Sequence, residues 1–210
     1  MQKNVIGKIE KLSVEHFKTA RRKLCLVPLL YSGKGMDKKP LRDYIDKLKD
    51  YWDDVERRIN DLETKLGSIN RIYHELIDAG GEKGMEIIKK LNEGSYQIIK
   101  RFLKKGARLE ATEDQALIKE NMDWGRCLAT NPETPKVLTK VSEFYLQTVQ
   151  KRDEYIAKRV NETLKSNEMG VLFIRENNNV KFSSDIEIFR IRPPILDEIH
   201  QYLYDFPSKK

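Results

Sequence analysis

The chain has 210 residues, of which 39% are hydrophobic and 35% charged, and its formal net charge at pH 7 is +7. This balance excludes a disordered chain and predicts a soluble, globular protein. No apolar run approaches the roughly 18 residues that a transmembrane helix needs, and the N-terminus lacks the apolar core of a signal peptide. We therefore expect a cytoplasmic location.

The length fits one full domain with a small extension. We predict an N-terminal arm or helix at residues 1–20 and a single α/β domain at residues 21–210. Cys25 and Cys127 each have an apolar neighbour in the sequence. This environment favours two buried, reduced thiols, and a disulfide is the alternative.

The first apolar run, residues 23–32, predicts a buried strand in which Pro28 favours an edge position or an irregularity. A helix that Pro40 opens follows, with apolar residues at steps of three and four. Residues 68–75 predict a second strand. Residues 83–104 then predict a helical stretch with a break or bend at Gly94.

The second half of the chain begins with a brief third strand at residues 107–111. Thr112 and Gln115 have the spacing of a capping box, and the helix after them reaches about Leu128. A long helix is predicted over residues 136–165.

Two more strands and a helix complete the predicted order. Residues 170–174 predict a fourth buried strand, and residues 180–191 a fifth with a kink at Ser183 and Ser184. Pro193 and Pro194 begin a final helix. Strands separated by helices predict an α/β fold, with a mainly parallel sheet of about five short strands and long helices on both faces.

In such a sheet, ligands bind beyond the carboxyl ends of the strands. The polar residues predicted at these ends are Tyr31, Ser32, Tyr73, His74, Glu75, Glu110, Glu113, Asp114, Arg175 and residues 176–179. His74 or Glu75 would be the general base of an enzyme here, because imidazole titrates near neutrality. In the structural alternative, His74 only bonds to a loop carbonyl, and Glu113 only interacts with a helix dipole.

Arg152 lies between Val149 and Ile156, on or near the apolar stripe of the long helix. A charge that faces the core must be paired or must line a cavity. We therefore expect Arg152 to reach a carboxylate such as Glu75 or Glu110, or to hold an anion. The alternative is an arginine at the edge of the stripe that extends into solvent.

Arg126 can pair with Asp123 three residues earlier on the same helix, and substrate binding is its alternative role. The predicted catalytic residues are therefore His74, Glu75, Glu110 and Arg152. The predicted substrate-binding residues are Tyr73, Glu113, Arg126 and Arg175. Only three histidines are present, widely scattered, so a zinc site is disfavoured, and a divalent Mg²⁺ or Mn²⁺ on carboxylates is the cofactor hypothesis.

The stretch KRDEYIAKRVNETLKSNEMGVLFIRENNNVKF resembles the closing segment of the TraB/erythromycin-esterase-like superfamily. Arg152 and Asp153 match its start, and residues 170–174 match its buried strand. IYHE and TED are further points of likeness. The resemblance implies an α/β core and a hydrolase, metal-dependent in some members, that gathers Glu, His and Arg at this edge. The family's Gly-x-x-His motif falls on residues 175–178, where both the glycine and the histidine are absent.

Three functional hypotheses follow. The first is a hydrolase, metal-assisted or not, that acts on a small molecule in a polar strand-edge pocket. The second is a catalytically degenerate binding or assembly protein, a homo-oligomer or the partner of another protein, for which the aromatic tail IHQYLYDF offers a docking segment. The third is nucleic-acid binding through basic side chains. These are Arg21, Arg22, Lys100, Arg101, Lys104 and Lys105.

Overall fold

The computed structural model describes residues 21–31 and 42–205. The strands are β1 (Arg22–Pro28), β2 (Ile69–His74), β3 (Arg108–Leu109), β4 (Met169–Ile174) and β5 (Ile186–Arg190). The helices are α1 (Arg42–Leu66), α2 (Gly81–Leu91), α3 (Glu93–Lys104), α4 (Gln115–Ala129), α5 (Pro135–Thr163) and α6 (Ile195–Asp205). The predicted N-terminal arm at residues 1–20, Ser32 and the helix start at Pro40 lie outside the described residues.

The five strands form one parallel sheet with the order β3-β2-β4-β1-β5. Helices connect β1 to β2, β2 to β3 and β3 to β4, whereas residues 175–185 connect β4 to β5 without a helix. Parallel neighbours need such long connections, because a tight turn cannot join them. The predicted α/β fold with a mainly parallel sheet is therefore confirmed.

Two apolar clusters cover the two faces of the sheet. Cys25 and Val27 of β1 point into the larger cluster, which contains buried residues of α1, α2, α3 and α6. Leu24 and Leu26 point to the other face and pack with Ile156 of α5. This alternation along the strand is the two-residue period of β structure, and it places helices on both faces as predicted.

Pro28 lies neither in an edge strand nor at an irregularity of the strand, in contrast to the prediction. β1 lies between β4 and β5, so it is an inner strand. Pro28 is its last residue and lies beyond the end of the pairing with β5, which stops at Leu26 and Arg190. At that position a missing backbone N–H interrupts no ladder, so the proline is tolerated.

The break between α2 and α3 falls at Asn92 rather than at Gly94. The Asn92 side chain accepts a hydrogen bond from the Ser95 amide at 3.0 Å and donates one to the Leu30 carbonyl at 2.7 Å. Asn92 therefore caps α3 and joins the start of this helix to the segment that follows β1.

Two further predictions are corrected by the fold. Asp114, not Thr112, caps α4, and its carboxylate accepts from the Leu117 amide at 3.0 Å. Cys25 is buried, but Cys127 is exposed on α4, and both thiols are free.

Among the described residues, no helix is long and apolar enough to cross a membrane.

Candidate functional site

Charged side chains from four parts of the chain meet beyond the carboxyl ends of β2 and β4. Glu75 follows β2, and Arg175 follows β4, its neighbour in the sheet. Glu113 lies between β3 and α4, while Arg152 and Asp153 belong to α5. We call Glu75, Glu113, Arg152, Asp153 and Arg175 the strand-edge network.

The network lies where the connections after two adjacent strands diverge. After β2 the chain continues into α2, whose Ile88 packs on the α1 face. After β4 it continues to Val180 and Phe182, which pack on the α5 face. Such a point is where open α/β sheets form a crevice for ligands.

Arg152 is the centre of the network, and its side chain is only 5% exposed. Its Nε and Nη2 donate to Glu113 Oε2 and Oε1 at 2.6 and 2.9 Å, which makes a two-point ion pair. Nη2 also donates to Glu75 Oε1 at 2.9 Å, and Nη1 donates to Asn121 Oδ1 at 2.7 Å. The predicted contact between Arg152 and a strand-edge carboxylate is therefore present with Glu75.

Arg175 extends the network toward solvent. Its Nη1 donates to Glu75 Oε1 at 2.5 Å, and its Nη2 donates to Asp153. The Arg175 side chain is 24% exposed, whereas those of Glu75 and Asp153 are each 5% exposed. The carboxylates are therefore internal, and Arg175 is the side chain of the network that solvent reaches most.

Each carboxylate of the network also accepts a hydrogen bond from a backbone amide. The Leu76 amide donates to Glu113 at 2.8 Å, the Arg175 amide to Glu75 at 2.6 Å, and the Asn179 amide to Asp153 at 3.0 Å. Leu76 has a φ of 68°, an uncommon backbone conformation for leucine, which turns the chain directly after Glu75. Through these carboxylates, the segments that follow β2, β3 and β4 are linked to α5.

The electrostatics of the network favour a charged Arg152. Burial lowers the pKa of Arg152, but the hydrogen bonds with Glu113 and the charges of Glu113 and Glu75 outweigh burial and raise it. Removing one partner of a buried pair typically costs about 3–5 kcal/mol, because the other charge is left without compensation. The network is therefore well suited to holding the sheet edge together.

Tyr31, just beyond β1, is close enough to the network to feel its charges. Desolvation raises the pKa of its hydroxyl to about 12, and the negative charge of Glu75 adds to this effect. The positive charge of Arg152 opposes it. The Tyr31 hydroxyl is therefore protonated at neutral pH and can act only as a neutral hydrogen-bonding group there.

His74 does not meet the Glu75 side chain, because adjacent strand residues point to opposite faces. Its ring stacks on Phe173 in the larger apolar cluster, with ring centroids 5.9 Å apart. Nδ1 contacts the Glu75 carbonyl at 2.5 Å, and Nε2 contacts Ser95 Oγ at 3.0 Å. Complete burial lowers the pKa of His74 to about 4, so the imidazole is neutral and both ring nitrogens are already engaged.

Three other predicted site residues lie outside the network. The Tyr73 hydroxyl bonds to Thr163 Oγ1 at 2.8 Å, and Glu110 pairs with Arg71. Arg126 pairs with Asp123 at 2.8 Å on the exposed surface of α4, as its spacing predicts. Of the eight predicted site residues, those that the structure brings together are Glu75, Glu113, Arg152 and Arg175.

Asn121 belongs to the site and was not predicted. It is 7% exposed in α4, and its Nδ2 has no hydrogen-bond partner, although Oδ1 accepts from Arg152. Rotating the amide would bring two donors together, so the observed orientation is the required one. Nothing in the surrounding sequence distinguishes this asparagine from the polar residues of an exposed helix.

Half of the basic residues in the nucleic-acid hypothesis are neutralised by neighbouring acids. Arg22 pairs with Asp185 at 2.7 Å, Arg101 with Glu56, and Lys105 with Glu63 at 2.7 Å. Such pairs weaken the attraction of these side chains for phosphates.

The described residues contain no group of three or more His, Cys, Asp or Glu side chains placed to hold a metal ion. A comparison with family models found no match to the chain, and neither the curated proteins nor the solved structures gave one. The resemblance to the TraB/erythromycin-esterase-like superfamily therefore stays a prediction.

Proposed function

We propose that this chain is a catalytically degenerate binding or assembly protein, in which the strand-edge network has a structural role. The supporting observation is the saturation of the network. Glu75, Glu113 and Asp153 each accept hydrogen bonds from an arginine and from a backbone amide. A carboxylate held in this way cannot take a proton as a general base without losing its ion pair.

The proposed binding surface is the α4–α5 hairpin, residues 115–147, which comprises α4, the connecting loop and the first half of α5. Nine large hydrophobic side chains are exposed among the described residues, and five of them belong to this hairpin. They are Met122, Val137, Leu138, Phe144 and Leu146. Apolar side chains concentrated on one exposed element favour an interaction site.

Hydroxyl-radical footprinting tests this function, with oxidation read by mass spectrometry in intact cells and in dilute purified protein. We expect Met122, Phe144 and Leu146 to be oxidised more slowly in cells, because a partner covers them there. Tyr204 on α6 is 81% exposed and serves as the control. Equal oxidation of the hairpin in both samples, or protection of Tyr204 instead, would contradict the proposal.

Hydrolysis is the second candidate, and one observation favours it. Arg175 is partly exposed and close enough to Tyr31 to influence its pKa, and the buried Asn121 Nδ2 beside Arg152 has no hydrogen-bond partner. The test is hydrolysis of nitrophenyl esters and phosphates with and without Mg²⁺, Mn²⁺ or Zn²⁺. Activity that disappears in Glu75→Gln but persists in Glu110→Gln, with both variants folded by circular dichroism, would replace the binding function by the enzyme.

A further inference from the structure

The α4–α5 hairpin has almost no core of its own. Asn121 is the only buried residue between residues 115 and 147, all of which the structure describes. The first buried residue of α5 is Thr148, and from Arg152 to Val160 the helix lies against the sheet. Within the part of the chain that the structure describes, the first half of α5 packs mainly on α4.

Several apolar side chains of the hairpin remain exposed although its two helices contact each other. Trp124 of α4 stacks on Phe144 of α5 with ring centroids 4.9 Å apart, yet Phe144 remains 42% exposed. Leu146 is 63% exposed and Met122 is 51% exposed. Two helices with exposed apolar residues leave hydrophobic surface that association would bury.

A groove along α5 adjoins this apolar surface, and most of the residues that line it are polar or charged. It has a volume of about 910 Å³, and it begins at Leu146 and extends past Val149 and Ala157 toward Asn179. Leu146 thus belongs both to the hairpin surface and to the groove, so one partner element can cover the two together.

The charges of the hairpin indicate what kind of partner this is. Four basic and four acidic side chains balance within residues 115–147, although the whole chain carries a net charge of +7. Two of the pairs are closed within a helix, between Arg126 and Asp123 at 2.8 Å and between Lys140 and Glu143 at 2.6 Å. An acidic partner gains nothing from such a neutral surface, whereas two like-charged chains can approach each other there without repulsion.

We propose that the α4–α5 hairpin is a homodimer interface, in which the hairpins of two copies pack together as a four-helix bundle. This inference rests on the proposed binding function and specifies its partner as a second copy of the chain. A two-fold arrangement uses the same patch on both copies, so one exposed apolar surface suffices. Four-helix bundles bury apolar surface of this kind between paired hairpins.

Sedimentation velocity of the full chain, over about 1–100 μM, measures the association constant. We expect a dimer whose dissociation constant rises about tenfold or more in Leu146→Glu and in Met122→Glu, since each places a charge in the apolar interface. Leu203→Glu on α6, where Leu203 is 39% exposed, is the matched control and should leave the constant unchanged. Circular dichroism checks that every variant is folded.

A spin label on the exposed Cys127 gives a second readout without any substitution, because Cys25 is buried. Since α4 spans roughly 22 Å, labels on two paired hairpins should lie within about 40 Å of each other by dipolar spectroscopy. A chain that is monomeric at every concentration would overturn the inference, and so would a dimer that both hairpin variants leave intact. If the hairpin is protected from oxidation in cells but the purified chain is a monomer, only the homodimer inference is overturned. If the hairpin is also unprotected in cells, the proposed binding function is overturned as well.

Discussion

Arg152 and Glu113 are 39 residues apart in the chain and form a two-point ion pair with side chains 5% and 0% exposed. The same arginine also reaches Glu75, so one α5 side chain joins the exit of β2 to the connection after β3. Both carboxylates are held by charge and by backbone amides. This arrangement makes the candidate site a part of the folded framework.

Glu113 and Glu110 are three residues apart and should respond differently to loss of charge. Glu113→Gln leaves Arg152 partly uncompensated in a buried site, and we expect a cost of about 2–4 kcal/mol in unfolding free energy. Glu110→Gln should cost less than about 1 kcal/mol, because Arg71 is partly exposed and keeps Glu168 at 3.0 Å. Urea unfolding measures both, and equal costs would contradict the special role of Glu113.

His74 predicts a pH dependence of stability. Its pKa is about 4 in the folded protein, against an ordinary value of 6.5. As the pH falls from 7 to 5, the unfolded chain therefore takes up a proton that the folded protein does not, and the unfolding free energy should drop by about 2 kcal/mol. This window lies above the range in which most carboxylates titrate.

The matched variant for this prediction is His74→Gln. In urea unfolding, the unfolding free energy of the wild type should fall between pH 7 and pH 5. The unfolding free energy of His74→Gln should change little over the same range. The same pH dependence in both proteins would show that His74 is not the group responsible.

Much of the fold follows from local patterns in the sequence. The apolar runs locate the inner strands, and steps of three and four locate α1 and α5, because both periods reflect which side chains can face a core. The position of Arg152 near the stripe of α5 predicts a buried pair, since a charge there needs a partner. Its contact with Glu75 shows how such an argument identifies part of a site.

Other features depend on contacts that a linear pattern does not contain. The break at Asn92 comes from a side chain that caps α3 and holds Leu30. Glu110 forms its ion pair with Arg71, two residues before Tyr73, and not with Arg152. The separation of His74 from Glu75 follows directly from strand alternation, and applying that rule to the sequence would have assigned the imidazole to the opposite face.

Two glycines offer a contrast within helices. A methyl group at Gly94 would overlap the ring of Trp52, so Gly94→Ala should destabilise the fold by about 1–3 kcal/mol. At Gly125 the nearest neighbour of that methyl group is the Tyr145 ring at 3.8 Å. Gly125→Ala should therefore stabilise the protein by up to about 1 kcal/mol, through helix propensity. Thermal unfolding measures the stability change of each variant, and the two changes should have opposite signs. Stabilisation at both positions would contradict the packing of Trp52 on α3.

The central claim is that the charges at the strand edge hold the fold. The most direct test compares the unfolding free energies of Arg152→Met and Arg126→Met in urea. Arg126 is the matched control, because its pair with Asp123 is exposed. We predict a loss of about 3–5 kcal/mol for Arg152→Met and less than about 0.5 kcal/mol for Arg126→Met. Losses that agree within about 0.5 kcal/mol, near the additivity limit of such measurements, would contradict the claim and return Arg152 to the candidates for ligand binding.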